Sequence, residues 1–381
     1  MNSLREILES SPQLRGLTMR GLRNEDSPQP LGPARWDWKR VERVLVVRLR
    51  SIGDTVLTTP SLYALKRFLP HARVDILLEE WVAPVLDGFG YVDKVITLKS
   101  NNTMARAAVA RQLRASRYDV VYNLHGGTTA TFLARATGAK HRVGYASYQY
   151  ARLQQHLAPS ASFLWGKNKT HSVEQQLALV GWTGVPVSDR PPTQLAITKE
   201  ATQSISARLQ SAHLNQDTQF VLIHPSAAFE TKQWSAEKFA RITEAVAERG
   251  FHAVIITTEK ENAVAMRLTE ESKVAITCFA DLSLPEITSL ASRARLFVGN
   301  DSGIAHIAAA VQTPSVVIFG SSNVDHWRPW TPVAAEIVRE ELDCQPCHGY
   351  FCEKFDRPEC IVRVPVERVI AAVDRVLRES E

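Results

Sequence analysis

The sequence predicts an α/β protein built as two doubly wound parallel-sheet domains that face each other across a cleft. Three observations predict it. Short apolar runs alternate with amphipathic helical stretches through both halves; several of those runs end in a polar turn that leads straight into a helix; and the Pro-containing stretch SDRPPTQ separates the halves. At 381 residues, 45% hydrophobic and 22% charged, the chain is long enough for two cores of ordinary size. The expected boundaries are a flexible extension over residues 1–40, a first domain over 41–195, a second over 196–363 and a C-terminal helix over 364–381.

Within the extension, LREILES reads as a turn or two of helix and SPQPLGPARW as a linker. Arg35, Trp36, Trp38, Lys39 and Arg40 then form a basic and aromatic stretch, which suits either contact with anionic lipid headgroups or a solvated tether. The first 50 residues carry ten Lys/Arg against six Asp/Glu, four of the five net positive charges. The remaining body is nearly neutral and lacks the basic composition of a nucleic-acid-binding face. No stretch reaches ~18 uninterrupted apolar residues, and the N-terminal residues lack the apolar core of a signal peptide, so a cytoplasmic protein is expected.

VERVLVVRL is the first strand. Gly53 then permits a tight turn, and Thr55 to Leu69 carry apolar residues at helical spacing, so Asp54 stands at a helix start at the strand's carboxyl end. The helix dipole stabilises a carboxylate there, whether as a cap or as a functional acid. RVDILL and KVITL are further strands, MARAAVARQLRAS is an amphipathic helix, and the strand YDVVYNLHGG opens onto the helix TTATFLARATGA. His125, in that strand's polar end, reads as an acceptor contact or a buried core histidine. From Arg142 to Lys169 the chain is rich in Tyr, Gln, Arg and Lys without periodicity, and reads as a loop suited to a sugar or phosphate acceptor. HSVEQQLALVGWTGV is the helix that closes this domain.

In the second half FVLIH, FHAVIITT, KVAITCF, RLFVGN and SVVIFG are strands. Ser235 caps the helix AEKFARITEAVAERG, Gly250 stops it, and Cys278 reads as a core residue. The last helix carries an apolar stripe (Val366, Val369, Ile370, Val373, Val376, Leu377) that must dock on another element. Val298 to Gly320 organises this half, because a buried strand turns through Asp301, Ser302 and Gly303 into the helix IAHIAAAV and then into a second buried strand. The turn therefore lies at a helix N-terminus above the carboxyl edge of a parallel sheet, where free N–H groups favour an anion such as a diphosphate. His306 sits one turn further along on the same side, as a ligand contact or as a core histidine beside a simple N-cap.

The wording D-S-G-x-x-H-x-A-A-A from Asp301, with W-x-P-W at Trp327 to Trp330, resembles the donor-site signature of glycosyltransferase family 9, the ADP-heptose:lipopolysaccharide heptosyltransferases. S-x-G-D-x5-P from Ser51 to Pro60 is similar to the N-terminal motif of that family, and H-P-S-x5-K-x-W from His224 to Trp234 to its donor loop. The resemblance covers about residues 41 to 365. It implies a GT-B fold and an inverting transferase that moves a heptose from ADP-heptose to the lipopolysaccharide inner core, with Asp54 as general base. It also implies a donor pocket of Ser226, Lys232, Glu261, Asp301, Ser302, Gly303 and His306. Here Ser226, followed by Ala227, replaces the family's usual Gly or Thr, and TTEKEN around Glu261 departs from the usual Gly-rich version. The implied partners are a nucleotide sugar and a lipopolysaccharide or related glycan acceptor at the inner face of the cytoplasmic membrane, with no nucleic acid and no required cofactor. Two alternatives stay open: the same fold using another nucleotide sugar, and a catalytically silent nucleotide-sugar-binding protein. A nicotinamide-dependent dehydrogenase is disfavoured, since the first βα turns, RSIGD and HPSAAF, lack G-x-G-x-x-G.

Four of the five cysteines form one run, C-x2-C-x4-C-x7-C, at Cys344, Cys347, Cys352 and Cys360. Such a run suits a structural zinc knuckle, reducible disulfides or unliganded thiols.

Overall fold

Strands that are apolar on both faces need helices on both sides, and parallel pairing with helical crossovers supplies them. The computed structural model describes residues 27–99, 102–215, 217–347 and 350–380. One sheet contains β1 Arg43–Val47, β2 Arg73–Glu79, β3 Lys94–Leu98, β4 Val120–Asn123, β5 His141–Tyr145 and β6 His156–Ala158, in the order β3-β2-β1-β4-β5-β6. The other contains β7 Phe220–His224, β8 His252–Ile256, β9 Ile276–Phe279, β10 Leu296–Asn300, β11 Ser315–Phe319 and β12 Ala335–Arg339, in the order β12-β11-β10-β7-β8-β9. The two orders are the same doubly wound pattern, with the reversal between β1 and β4 and between β7 and β10. Ligands of such sheets bind at the carboxyl ends of the strands flanking the reversal. The fold is the two-domain α/β arrangement expected.

Several local expectations differ. The stretch 142–169, expected as loop, contributes part of β5 and all of β6, and β12 stands where no strand is expected; these short outer strands follow no apolar run. The helix expected from Thr55 to Leu69 is two helices, Ile52–Val56 and Thr59–Phe68, the second with Pro60 in its first turn. Proline has no N–H to give to the preceding turn, so it starts a helix more readily than it continues one. Cys278 lies on the edge strand β9 and is exposed instead of buried.

The extension expected over 1–40 is, from residue 27 onward, packed onto the first domain; the helical turns expected over 4–10 lie outside the described residues. Leu31 donates its N–H to Gly181 O at 3.0 Å, and the Trp38 indole donates to Thr183 O at 3.0 Å. Trp36 stacks on His141 at 4.5 Å, and Arg35 covers the Trp182 ring at 4.1 Å. The aromatic stretch therefore spends its apolar area inside the protein. No helix among the described residues is long and apolar enough to cross a membrane.

One apolar cluster lines the faces the two domains turn toward each other; the outer face of each sheet has its own. The C-terminal helix Val366–Glu379 docks Val369, Val373 and Val376 on the second sheet. Besides the packing of the turn Ala83–Leu86 on the helix Leu284–Arg293, two further contacts join the domains. Loop 166–171 clasps the short helix Val324–Trp327 and its C-terminal flank: Lys169 pairs with Asp325 at 2.6 Å, His326 Nδ1 donates to Thr170 O at 3.0 Å, and His171 Nε2 donates to Arg328 O at 2.7 Å. Trp330 completes the clasp, stacked on His171 at 4.7 Å with its indole donating to Pro191 O at 3.0 Å. The second contact is between glycines. A Cβ on Gly303 would lie 2.8 Å from Ile52 Cβ, and one on Gly53 would lie 2.7 Å from His306 Cδ2, so neither position has room for a side chain without a shift.

Both contacts can be probed in solution. His171 accepts the Val173 N–H on Nδ1 and is buried, and burial lowers its pKa to about 3. The unfolded chain protonates it near about pH 6.5. The unfolded state thus holds more protons between those values, and stability is lost as pH falls through this window, by up to about 1.4 kcal/mol per pH unit. His171→Asn keeps a capping acceptor without the titration, so its unfolding free energy should fall less steeply than wild type between pH 6.5 and 4 in denaturant titrations; equal slopes would contradict this. Gly303→Ala should lower stability by about 1–3 kcal/mol through overpacking. Gly90→Ala, whose Cβ would meet nothing within 4 Å, is the control.

Candidate active site

The loops after β1, β7 and β10 converge at the two reversals and enclose a cleft of about 480 Å³. Its first-domain wall is Ser51 to Asp54 with Trp81; its second-domain wall includes Ala227 to Phe229, Lys232, Thr258, Glu261, Asp301 to Ile304, His306 and Trp327. Motifs from opposite halves of the chain thus share one cavity.

Asp54 lies in the first turn of Ile52–Val56, whose N-cap is Ser51. Its Oδ1 forms an ion pair with Arg48 Nη2, while among the described residues Oδ2 receives only the Ser51 hydroxyl, at 3.2 Å. Arg48 immediately follows β1 and donates through Nη1 to Leu124 O, at the end of β4. His125 is half-buried beside this pair; burial, then the Arg48 charge, lowers its pKa to about 4. It therefore stays neutral at physiological pH.

Across the cleft, Lys232 pairs with Asp301 Oδ2 at 2.9 Å, and the same carboxylate accepts the Ser322 hydroxyl. Asp301 is buried and pairs with the ammonium group, and a carboxylate aimed at an anionic ligand would repel it. Ser302 is the N-cap of the helix Gly303–Ala310 but makes no side-chain cap bond; its hydroxyl meets His224 Nδ1 at 3.1 Å instead. The first N–H groups of that helix are left without a side-chain acceptor at the cleft, the arrangement that receives anions. Burial lowers the His224 pKa to about 4. His306 is buried with no partner for Nδ1; burial lowers its pKa, and Asp301 and Asp54 oppose that shift.

Glu261 lines the cleft, but one of its oxygens is occupied: Oε2 accepts the N–H and hydroxyl of Thr258 at 2.8 and 2.9 Å, in a capping box. Ser226 does not line the cleft. It is buried, and its Oγ has no hydrogen-bond partner among the described residues. Ala227 to Phe229, which follow it, line the wall instead.

The four clustered cysteines are unbridged and line a second cavity of about 680 Å³ that adjoins the donor loop at Thr231. Cys347 N–H donates to Ser321 O at 3.0 Å, and Tyr350 packs edge-on against Phe229 at 4.6 Å, so this loop buttresses the donor loop from outside. Among the described residues no three His, Cys, Asp or Glu side chains are grouped so as to hold a metal ion.

Arg48 and Trp81 are not singled out by the sequence, and Trp327 enters only as the first residue of W-x-P-W. Arg48 had a signal: it interrupts the end of an otherwise apolar strand, where an unpaired charge is not tolerated. Trp81, 55% exposed with its indole on Glu79 at 2.9 Å, had none.

The chain resembles lipopolysaccharide heptosyltransferase 3 of Escherichia coli, with 29% identity over 349 residues, 87% of this chain and 98% of that protein. In fold it is similar to a family 9 glycosyltransferase of Veillonella parvula DSM 2008, with a TM-score of 0.78 and 21% identity over 89% of this chain and 98% of that one. It is also similar to the E. coli heptosyltransferase WaaC solved with ADP, with a TM-score of 0.66 and 18% identity over 89% of this chain and 100% of that one. Both likenesses agree with a GT-B architecture. The family model for glycosyltransferase family 9 (heptosyltransferase) matches residues 106–355, and with the cleft described above this chain belongs to that family of glycosyltransferases.

Proposed function

We propose that the protein transfers a heptose from ADP-heptose to a sugar hydroxyl of the lipopolysaccharide core, with inversion, and that Asp54 is the general base. The single observation that carries the reading is the opposition, in one cleft, of the Asp54 carboxylate, whose Oδ2 accepts one hydrogen bond, and a cationic cradle made of Lys232 and a helix N-terminus without a side-chain cap. In this reaction the acceptor oxygen attacks the anomeric carbon as the bond to the diphosphate breaks. The hydroxyl proton passes to Asp54 Oδ2, and ADP departs with the bonding electron pair.

The requirements of that step match the residues. An alcohol is a poor nucleophile until its proton has somewhere to go, and a positioned base is worth about 10²–10⁴-fold. The departing diphosphate gains negative charge, which Lys232 and the helix dipole stabilise. The proposed step is a direct displacement with no covalent sugar intermediate. Asp301, paired with Lys232, is not available as a nucleophile. The relatives named as lipopolysaccharide heptosyltransferases support this donor and acceptor class. The reading locates the reaction in the cytoplasm, at the inner face of the membrane that holds the lipid-linked acceptor. It calls for no cofactor, because the charge that a divalent ion would supply is already provided by protein groups.

The test is kinetic. Asp54→Asn should lower kcat by about 10²–10⁴-fold while leaving ADP binding intact. ADP near 100 Kd should stabilise both forms by about 2.7 kcal/mol in thermal-shift measurements. UDP and NAD should stabilise less. Lys232→Ala should weaken ADP binding, and EDTA should leave turnover unchanged. Full activity of the D54N protein, or turnover that EDTA abolishes and manganese restores, would refute the assignment.

A further inference from the structure

A cation at the end of a strand buried on both faces is costly unless it is paired, so Arg48, whose side chain is 11% exposed, needs a reason to be there. It has two anchors. Nη1 donates to Leu124 O, the first residue beyond β4, and Nη2 pairs with Asp54 Oδ1 in the helix that follows β1. The guanidinium thus bridges the two strands of the first sheet's reversal and the proposed base. A planar fork held at both ends cannot turn without releasing one partner, whereas an ammonium group offers a single point and cannot span both.

We propose that Arg48 is the positioning residue of Asp54: it immobilises Oδ1 and so leaves Oδ2 as the oxygen that meets the acceptor hydroxyl. This rests on the reading of Asp54 as the base. Oδ2 carries one bond, from the Ser51 hydroxyl at 3.2 Å, and retains a lone pair for the incoming proton. Without Arg48 the carboxylate is free to rotate, and the lone pair that faces the cleft is no longer fixed. Arg48 touches neither the reacting carbon nor the acceptor; its effect passes through Asp54. The anchor at Leu124 also ties the base to the loop Leu124 to Gly127 on the first-domain side, so a shift of that loop reaches the carboxylate through one side chain.

A double-mutant cycle tests this, with ADP release from ADP-heptose and a truncated lipopolysaccharide acceptor as the readout. Arg48→Ala should lower kcat by about 10²-fold, the cost of a misplacement near 1 Å. The KM for donor and the ADP thermal shift should not change. The R48A/D54N protein should turn over no more slowly than D54N, because a residue acting through Asp54 has nothing to position once the base is gone. Free guanidinium ion should restore part of the rate to R48A but none to R48A/D54N, and Arg48→Lys should stay impaired. Should R48A fail to fold, Arg48→Gln, whose amide still reaches for Leu124 O without the charge, enters the same cycle. Losses that multiply in the double variant, or an R48A defect confined to donor KM, would overturn the proposal. Wild-type turnover by D54N would instead overturn the base assignment itself.

Discussion

Two helix N-termini from opposite sheets meet glycine against side chain, with no room for a further methyl group, and the rest of the site depends on that contact. Ile52–Val56 and Gly303–Ala310 each begin at the carboxyl edge of a strand beside a chain reversal, so each brings its polar turn to the same gap. Side chains at residues 53 or 303 would wedge the domains apart by the width of a methyl group. The two glycines are needed here for this close approach; neither adopts a positive φ.

Around that contact the charges are organised in two pairs, one per domain. Arg48 holds Asp54 on one wall and Asp301 holds Lys232 on the other. In each pair one member is withdrawn into the wall and the other faces the cleft. The working charges, a carboxylate on one side and an ammonium on the other, are therefore opposite in sign to their supports. A half-buried ion pair is a poor source of stability, but it is an effective way to fix a group that must not wander. The neutral histidines nearby, His125, His224 and His306, add bulk and hydrogen-bonding capacity without adding charge.

Much of this was legible in the sequence, for identifiable reasons. The strands with continuous apolar runs were recovered because nothing else explains such runs in a chain with polar turns. Asp54, Lys232, Asp301, Ser302, Gly303 and His306, each in or beside a turn whose wording is specific, come together in one cleft. What was lost had weaker local signals. β6 and β12 are edge strands, half-exposed, and their short sequences carry no alternation. Segment 27–40 looked like a tether because it is rich in Pro and Arg, yet Trp36 and Trp38 find partners more than 100 residues away, at His141 and Thr183. Ser226 was expected in the pocket from the family resemblance, which does not reveal that its hydroxyl is buried away from the cleft. Arg48 was read as part of a strand; its role emerges only when β4 and the helix start are seen on either side of it.

The chain passes between the domains once, near residues 186–198, and the final helix returns to its own sheet. The distance between Asp54 and Lys232 across the cleft is therefore not fixed by covalent geometry on both sides. It is set by noncovalent contacts, among them the clasp at His171, Lys169 and Trp330 and the glycine contact beside Asp54. Rate and substrate affinity in this enzyme are accordingly separable by inheritance: changes in the clasp can retune how often the two walls reach working separation while every residue that touches substrate stays the same.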